Sequence, residues 1–399
     1  MKKLLLLIIL TKISFSQEDI NLELYQKAID LSKEILIIDT HIDLPNWIFN
    51  ENFDVNLISQ EDQFDFVRAK QGGLNIAFLS IFTSVTQASL GKSKERADFL
   101  INTVKNNLSK FPDKFKIITS FNEIDTTNKE ILYVVLGMEN GSPIEDKIEN
   151  LIHYHKEGIK YITLTHYKSN LIGDSANDSI KVWNGLSEFG KNLIKEMNRY
   201  GIMIDVSHIS DSTFFDIIEI TSAPIIASHS ACRYFTPGFE RNLSDDIIKE
   251  IAKKRGVVQI PFADFFLRED ANKKFIQNEI EVEKFIKENY LGHNSRAAEE
   301  FELNYWKENP LPKSSVIDVA NHIDHIVKLV GIDFVGIGSD FNGVRTEFIT
   351  SGLEDCSKYP NLIYELLRRN YSVEDIKKIM GLNFLRVWKE VEEIANGLK

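Results

Sequence analysis

Eight short apolar segments rich in β-branched residues recur along the chain, and they limit its fold more than any other feature. They are Ile35–Thr40, Asn75–Phe82, Ile131–Met138, Tyr161–Thr165, Ile202–Val206, Pro224–Ser228, Gly256–Pro261 and Phe334–Ser339. Runs without polar alternation belong to strands buried on both faces, as in parallel sheets. Amphipathic helical stretches lie between most of them, among them Lys94–Leu108, Ile144–Lys156, Gly185–Tyr200 and Asp245–Lys254. Strand and helix in alternation imply a parallel sheet with right-handed crossovers. Eight such units predict an α/β fold, a closed (β/α)8 TIM-like barrel. An open dinucleotide-binding sheet is disfavoured, because no G-x-G-x-x-G turn follows the first strand. The chain has 399 residues, and α/β barrels of such length run as single domains. With no internal repeat or low-complexity linker, one domain is expected over 17–399. The charge-dense segment 265–314 predicts extra helices forming a lid or a subunit contact. The tail from Leu362 onward predicts helix, outside the barrel or at its base.

The first 16 residues read as a cleavable leader. Lys2 and Lys3 precede the apolar run Leu4 to Leu10, and the small residues Ser14 and Ser16 follow. That run is too short to span a bilayer, no Cys lies near the cleavage point for a lipid anchor, and the C-terminus carries no hydrophobic tail. An exported protein without a membrane anchor, periplasmic or secreted, is expected. The net charge of −12 argues against a nucleic-acid partner, which would select a basic face. Two cysteines, Cys232 and Cys356, provide no disulfide framework, and two buried thiols are expected.

Metal-capable side chains fall at the C-terminal ends of these strands, the face on which such barrels carry their active sites. The first strand leads to His41 and Asp43, the third to Glu139 and the fourth to His166. The fifth leads to His208, the sixth to His229 and the eighth to Asp340. Each has an ordinary reading when taken alone. An H-x-D pair is common, an acid after a buried strand can pair with Arg, and His208 or His229 could be core or capping residues. Together they form an assembly of carboxylates and imidazoles that needs cations or protons to neutralise it. His153, His155, His293, His322 and His325 fall in helical stretches and are expected on the surface or in packing. Mixed imidazole and carboxylate ligands suit zinc, and also manganese, cobalt or iron.

The stretches Asp39-Thr40-His41-Ile42-Asp43-Leu44-Pro45, Tyr161 to His166, Asp205-Val206-Ser207-His208 and Ser228-His229-Ser230 resemble the membrane (renal) dipeptidase family of the amidohydrolase superfamily. The resemblance continues through Arg241-Asn242, Gly338-Ser339-Asp340-Phe341 and Gly352 to Asp355, on to Leu366-Leu367-Arg368-Arg369-Asn370. It covers nearly the whole chain after the leader. It implies a hydrolase that cleaves dipeptides, including L-D dipeptides, through two zinc ions and the hydroxide that bridges them. His41 and Asp43 would bind the first zinc, His208 and His229 the second, and Glu139 would bridge both. Asp340 would be the general acid/base, and His166 would hold the tetrahedral oxyanion. Arg241 would clamp the terminal carboxylate, a bidentate task suited to guanidinium, and Asn342 would lie beside the substrate. Members of the family are often dimeric. The chain departs from the family pattern at Asn342, where Asp is common, at Ala263, where an aromatic is frequent, and at Asn140 and Ser142 after the bridging Glu. Its 265–314 segment is also longer. Two other readings use the same residues: a related amidohydrolase acting on a small amide, lactone or β-lactam, and a secreted binding protein without catalysis.

Overall fold

The computed structural model describes residues 21–48, 54–58, 62–125, 127–292 and 295–398. The leader at 1–16 and His293 lie outside these residues. Parallel strands β1 (Ile38–Ile42), β2 (Ile76–Phe82), β3 (Phe115–Ile117), β4 (Leu132–Glu139), β5 (Ile159–Thr163), β6 (Met203–Asp205), β7 (Ile226–Ala227), β8 (Val257–Ile260) and β9 (Val335–Ile337) form one sheet. Eight of them follow the order β1-β2-β4-β5-β6-β7-β8-β9, and β3 pairs with β4 off that path. The ring nearly closes through a parallel bridge between Ile42 and Phe341, where Asp43 N donates to Phe341 O at 2.8 Å and Asp340 N to His41 O at 3.1 Å. The fold is the expected TIM-like α/β barrel. All eight anticipated strands are present. The short β3 was not anticipated: with a half-exposed pattern of three residues, it lacks the long apolar run that marks the others.

Alternation along β4 explains how the interior is filled. Tyr133 and Val135 face the same way as Gly137 and Glu139, since strand side chains repeat with period two. The apolar pair packs with Ile38, Phe78, Tyr161, Met203, Ile226 and Val257 in one buried cluster. Phe384, Val387, Trp388 and Val391 of the C-terminal helix Asn383–Gly397 join the same cluster, with Phe78 4.9 Å from the Phe384 ring and 5.4 Å from that of Trp388. The tail therefore closes the base of the barrel. Polar residues are left for the opposite mouth.

Helix boundaries follow local hydrogen bonds. The helix expected from Gly185 starts at Glu188 instead. Asp174 takes the Gly185 N–H at 3.1 Å and Asp216 the Leu186 N–H at 2.7 Å, and Ser187 caps the helix by accepting from Gly190 N. Such side-chain acceptors compete with the helical ladder. The anticipated extra helices are present at Asp264–Leu267, Glu269–Glu288 and Arg296–Glu308. Both cysteines are buried and unpaired. Among the described residues no helix is long and apolar enough to cross a membrane.

Candidate metal centre and its cavity

The seven strand-end candidates meet at one mouth. His41 lies within β1 rather than beyond it, and Glu139 is the last residue of β4. His166, His208, His229 and Asp340 lie on the loops after β5, β6, β7 and β9. Ile38 packs inside the barrel, and His41 also reaches inward to Tyr161. Strict alternation would put residues three apart on opposite faces. A register irregularity between Asp39 and Ile42 provides the change of face, a usual role of bulges beside active sites.

Glu139 is the hub. Its Oε1 lies 3.1 Å from His208 Nε2, 3.4 Å from His229 Nε2 and 3.5 Å from His166 Nε2. Its Oε2 lies 3.5 Å from His41 Nε2 and accepts from Ser80 Oγ at 3.3 Å. His41 Nε2 is also 3.3 Å from Asp43 Oδ2 and 4.0 Å from Asp340 Oδ1. Glycine makes the room for this crowding. A Cβ on Gly343 would sit 2.3 Å from both Asp340 Oδ1 and Asp43 Oδ2, and one on Gly137 would sit 2.1 Å from the Tyr161 ring.

Hydrogen-bond roles test whether the residues fit a metal. Ser228 Oγ donates to Asp205 Oδ2, so it accepts from His229 Nδ1–H at 2.8 Å. The Nε2 of a neutral His229 is then a bare lone pair. It faces His208 Nε2 at 3.0 Å and the Glu139 carboxylate. The His208 lone pair meets the Arg241 guanidinium at 3.0 Å, but that of His229 faces the Glu139 carboxylate, a buried contact of acceptors that is unstable unless a cation lies between them. His41 Nε2 and Asp43 Oδ1 are likewise buried without a hydrogen-bond partner. Three groupings bring ligand atoms within 4.8 Å of one another: His41, Glu139 and His229; Glu139, His166 and His208; and His41, Asp43 and Asp340. The donor set fits divalent metal.

Electrostatics agree with that reading at His208 and His229, whereas burial at His41 is outweighed by Tyr161, Glu139 and Asp43, which hold it well above the ordinary imidazole range. Burial, together with Arg241 and the neighbouring imidazoles, holds His208 and His229 well below the ordinary imidazole range, the neutral form that ligates metal. Burial lowers His166 to about 4, with Glu139 opposing and Arg241 and His41 adding. Burial pushes the Asp340 carboxyl well above its usual range, with Asp43 and Glu139 reinforcing and His41 and Arg241 opposing. Glu139 itself is held well below it, because His41, His166 and the other imidazoles outweigh its burial. His208 and Asp340 have φ of 70° and 65°, left-handed conformations that residues other than Gly rarely adopt and that cluster at functional sites.

Above the carboxylates opens a cavity of about 910 Å³. Arg241 and Asn342 both line it. Arg241 is 3 % exposed, donates to Ser230 Oγ at 2.6 Å and His229 O at 2.9 Å, and stacks 4.9 Å from the Phe266 ring centroid. Its Nε has no partner. Asn342 donates to Asp62 Oδ1 at 3.1 Å, and its own Oδ1 is buried without a partner. Asn140 has φ 68°, which explains how Asn can stand where glycine is frequent: Asn tolerates the left-handed region. The cavity also takes Phe265 and Phe266 from the short helix after Ala263.

The strand ends did not reveal several residues that matter. Tyr161 OH lies 2.8 Å from His41 Nδ1. Asp205 accepts from Ser207 N, Ser228 N, Ser228 Oγ and Thr163 Oγ1 and so orients His229 through Ser228, as outer partners orient metal-binding histidines. Inward alternation within the strands could have indicated Tyr161 and Asp205. Of the remaining histidines, His153 pairs with Asp98 at 2.8 Å and His325 with Asp245 at 2.8 Å. His322 is buried, accepts from Cys232 N at 3.0 Å and bonds Leu267 O at 3.1 Å. These are packing roles, as expected.

A (β/α)8 barrel with imidazoles and carboxylates gathered at its C-terminal mouth is the architecture of a metal-dependent hydrolase. Residues 25–399 match the model of the membrane dipeptidase family, peptidase family M19. The chain belongs to that family and is a metallodipeptidase of it. It is 29 % identical over 393 residues to an uncharacterized dipeptidase of Schizosaccharomyces pombe, covering 93 % of this chain and 84 % of the relative. The probable dipeptidase PvdM from Pseudomonas aeruginosa superposes with a TM-score of 0.81 at 26 % identity, covering 94 % of this chain and all of that one. A metallopeptidase from Rhodobacter sphaeroides liganded with a phosphinate mimic of the dipeptide L-Ala-D-Ala shares the fold, with a TM-score of 0.72, 22 % identity and coverage of 90 % and 99 %.

Proposed function

We propose that the protein is an exported binuclear zinc dipeptidase whose substrates include L-D dipeptides. The carrying observation is Glu139, whose two oxygens face His41 on one side and His166, His208 and His229 on the other. His41 and Asp43 would hold one zinc, His208 and His229 the other, and Glu139 both. When bound, zinc supplies a water acidic enough to serve as nucleophile at neutral pH.

The chain's own residues provide the rest. Asp340, with its carboxyl pushed upward by burial, takes a proton from the attacking water and delivers it to the nitrogen of the leaving amine. His166, neutral in its buried setting, offers an N–H to the oxygen that gains charge as the carbonyl becomes tetrahedral. Arg241, which lines the cavity, receives the substrate's terminal carboxylate on its guanidinium. That pairing restricts substrates to those with a carboxylate one residue beyond the scissile bond. Asn342, which lines the same cavity, lies beside the substrate. Acceptance of a D-residue at the carboxyl end is supported by the same-fold Rhodobacter enzyme, which was solved with an L-Ala-D-Ala mimic. Export rests on the leader at residues 1–16.

Two measurements test the proposal. Zinc-loaded protein should contain about two ions per chain, hydrolyse L-L and L-D dipeptides, lose that activity to a chelator and regain it with zinc. A fully loaded protein inert on a broad dipeptide panel would leave a binding protein instead. Arg241→Ala should lower dipeptide kcat/KM by about 100-fold or more, the scale of truncating one partner of a buried charge pair. Arg241→Lys, which keeps the charge but not the fork, should fall between. Near-normal turnover by Arg241→Ala would point to an amidohydrolase of another small amide, lactone or β-lactam.

A further inference from the structure

The helix Glu269–Glu288 forms the outer wall of the cavity, and Ile276, Glu279 and Ile280 line the space from it. At spacings of three and four these residues share one helix face. The cavity's other carboxylates, Asp43, Glu139 and Asp340, stand beside imidazoles on its floor. Among the described residues Glu279 has no such neighbour. Among the described residues no cation lies within ion-pair distance of it. Arg345, the cation acting on it through space, is held by Glu302 at 3.1 Å and Glu347 at 2.8 Å. Glu302 and Glu283 lie close enough to add negative charge around it.

We propose that Glu279 makes this cavity select dipeptides bearing a cationic side chain, its carboxylate receiving the lysine or arginine head group. The inference rests on the dipeptidase reading above and names the substrate class within it. Size allows it: about 910 Å³ lies toward the top of the roughly 300–1,000 Å³ that holds drug-sized ligands, so long side chains can enter. Chemistry favours it as well. Lys and Arg lay their methylene stems on apolar surface and keep the head group with polar partners, and Ile276 and Ile280 flank the Glu279 carboxylate on the wall. Burial, with Glu302 and Glu283 reinforcing it and Arg345 opposing, lifts Glu279 to about 7. An incoming cation stabilises its charged form.

The test compares matched dipeptides carrying lysine, norleucine or glutamate, first at the amino and then at the carboxyl position, with alanine at the other. On zinc-loaded wild-type protein, lysine should exceed norleucine in kcat/KM by roughly ten-fold at one position, the scale of a hydrogen bond to a charged group. Glu279→Gln should bring that ratio close to one, and Glu279→Lys should turn selectivity toward glutamate. Each ratio is taken on one protein preparation, so partial misfolding cancels. A wild-type ratio near one, or a ratio that persists in Glu279→Gln, overturns the assignment. Equal loss on all dipeptides in Glu279→Gln also overturns it, and would give Glu279 the α-ammonium common to them. Failure to hydrolyse any dipeptide overturns the dipeptidase reading and this inference together, whereas hydrolysis without lysine preference overturns this inference alone.

Discussion

Glu139→Gln is expected to lower dipeptide kcat/KM by at least about 10³-fold, on the order of 4 kcal/mol of transition-state stabilisation, and to reduce zinc content below two per chain. The substitution keeps size and shape, and Ser80 Oγ, 3.3 Å from Oε2, can still pair with the new side chain. What it removes is the negative charge among His41, His166, His208 and His229. Those four imidazoles would then surround a neutral amide, whose NH2 cannot ligate metal. Elemental analysis of the purified variant beside steady-state kinetics checks both parts. Full zinc content with activity within ten-fold of wild type would remove Glu139 from the proposed bridging position.

The second large effect is expected at Asp340. Asp340→Asn should cut kcat by about 10² to 10⁴-fold, the range that a positioned acid/base contributes, with zinc content close to wild type. Two features make this variant clean. Asn tolerates the left-handed backbone that Asp340 adopts at φ 65°, and Asp340 N can still donate to His41 O at 3.1 Å. The carboxyl's ability to take up and release a proton is lost. Burial and the neighbouring Asp43 and Glu139 hold that carboxyl well above its usual range, which suits it to carry a proton to the leaving amine. A kcat within ten-fold of wild type would show that another group moves the proton.

The two expectations differ in how far sequence could carry them. Glu139 was visible because it closes a long apolar run, so its place at a strand end needed no tertiary information. Asp340 and His208 were equally visible as residues following strands, yet their left-handed backbones were not. Nothing local to Ser-His or Ser-Asp announces a positive φ. It arises where the loop after the strand must turn its side chain back over the mouth. Asp205 reads as a polar residue within the strand Ile202–Val206, and only the packing of β6 beside β7 brings it to Ser228 and, through Ser228, to His229. Tyr161 reaches His41 because Gly137 on the neighbouring strand leaves room for its ring.

The eight-strand alternation along the chain therefore determined much by itself: a barrel, its direction, and the end at which seven metal-capable side chains must emerge. Those properties are encoded within each strand and helix, through burial on both faces and the position of the first polar residue after each run. Tertiary structure decided the rest. It set the shift of face at His41, the acceptor-against-acceptor contact of His229 and Glu139, the Ser228 link, and the placing of Glu279 on the cavity wall from a helix far along the chain. Each depends on which elements become neighbours and at what register, and that choice is made by long-range packing, which no local run of residues encodes.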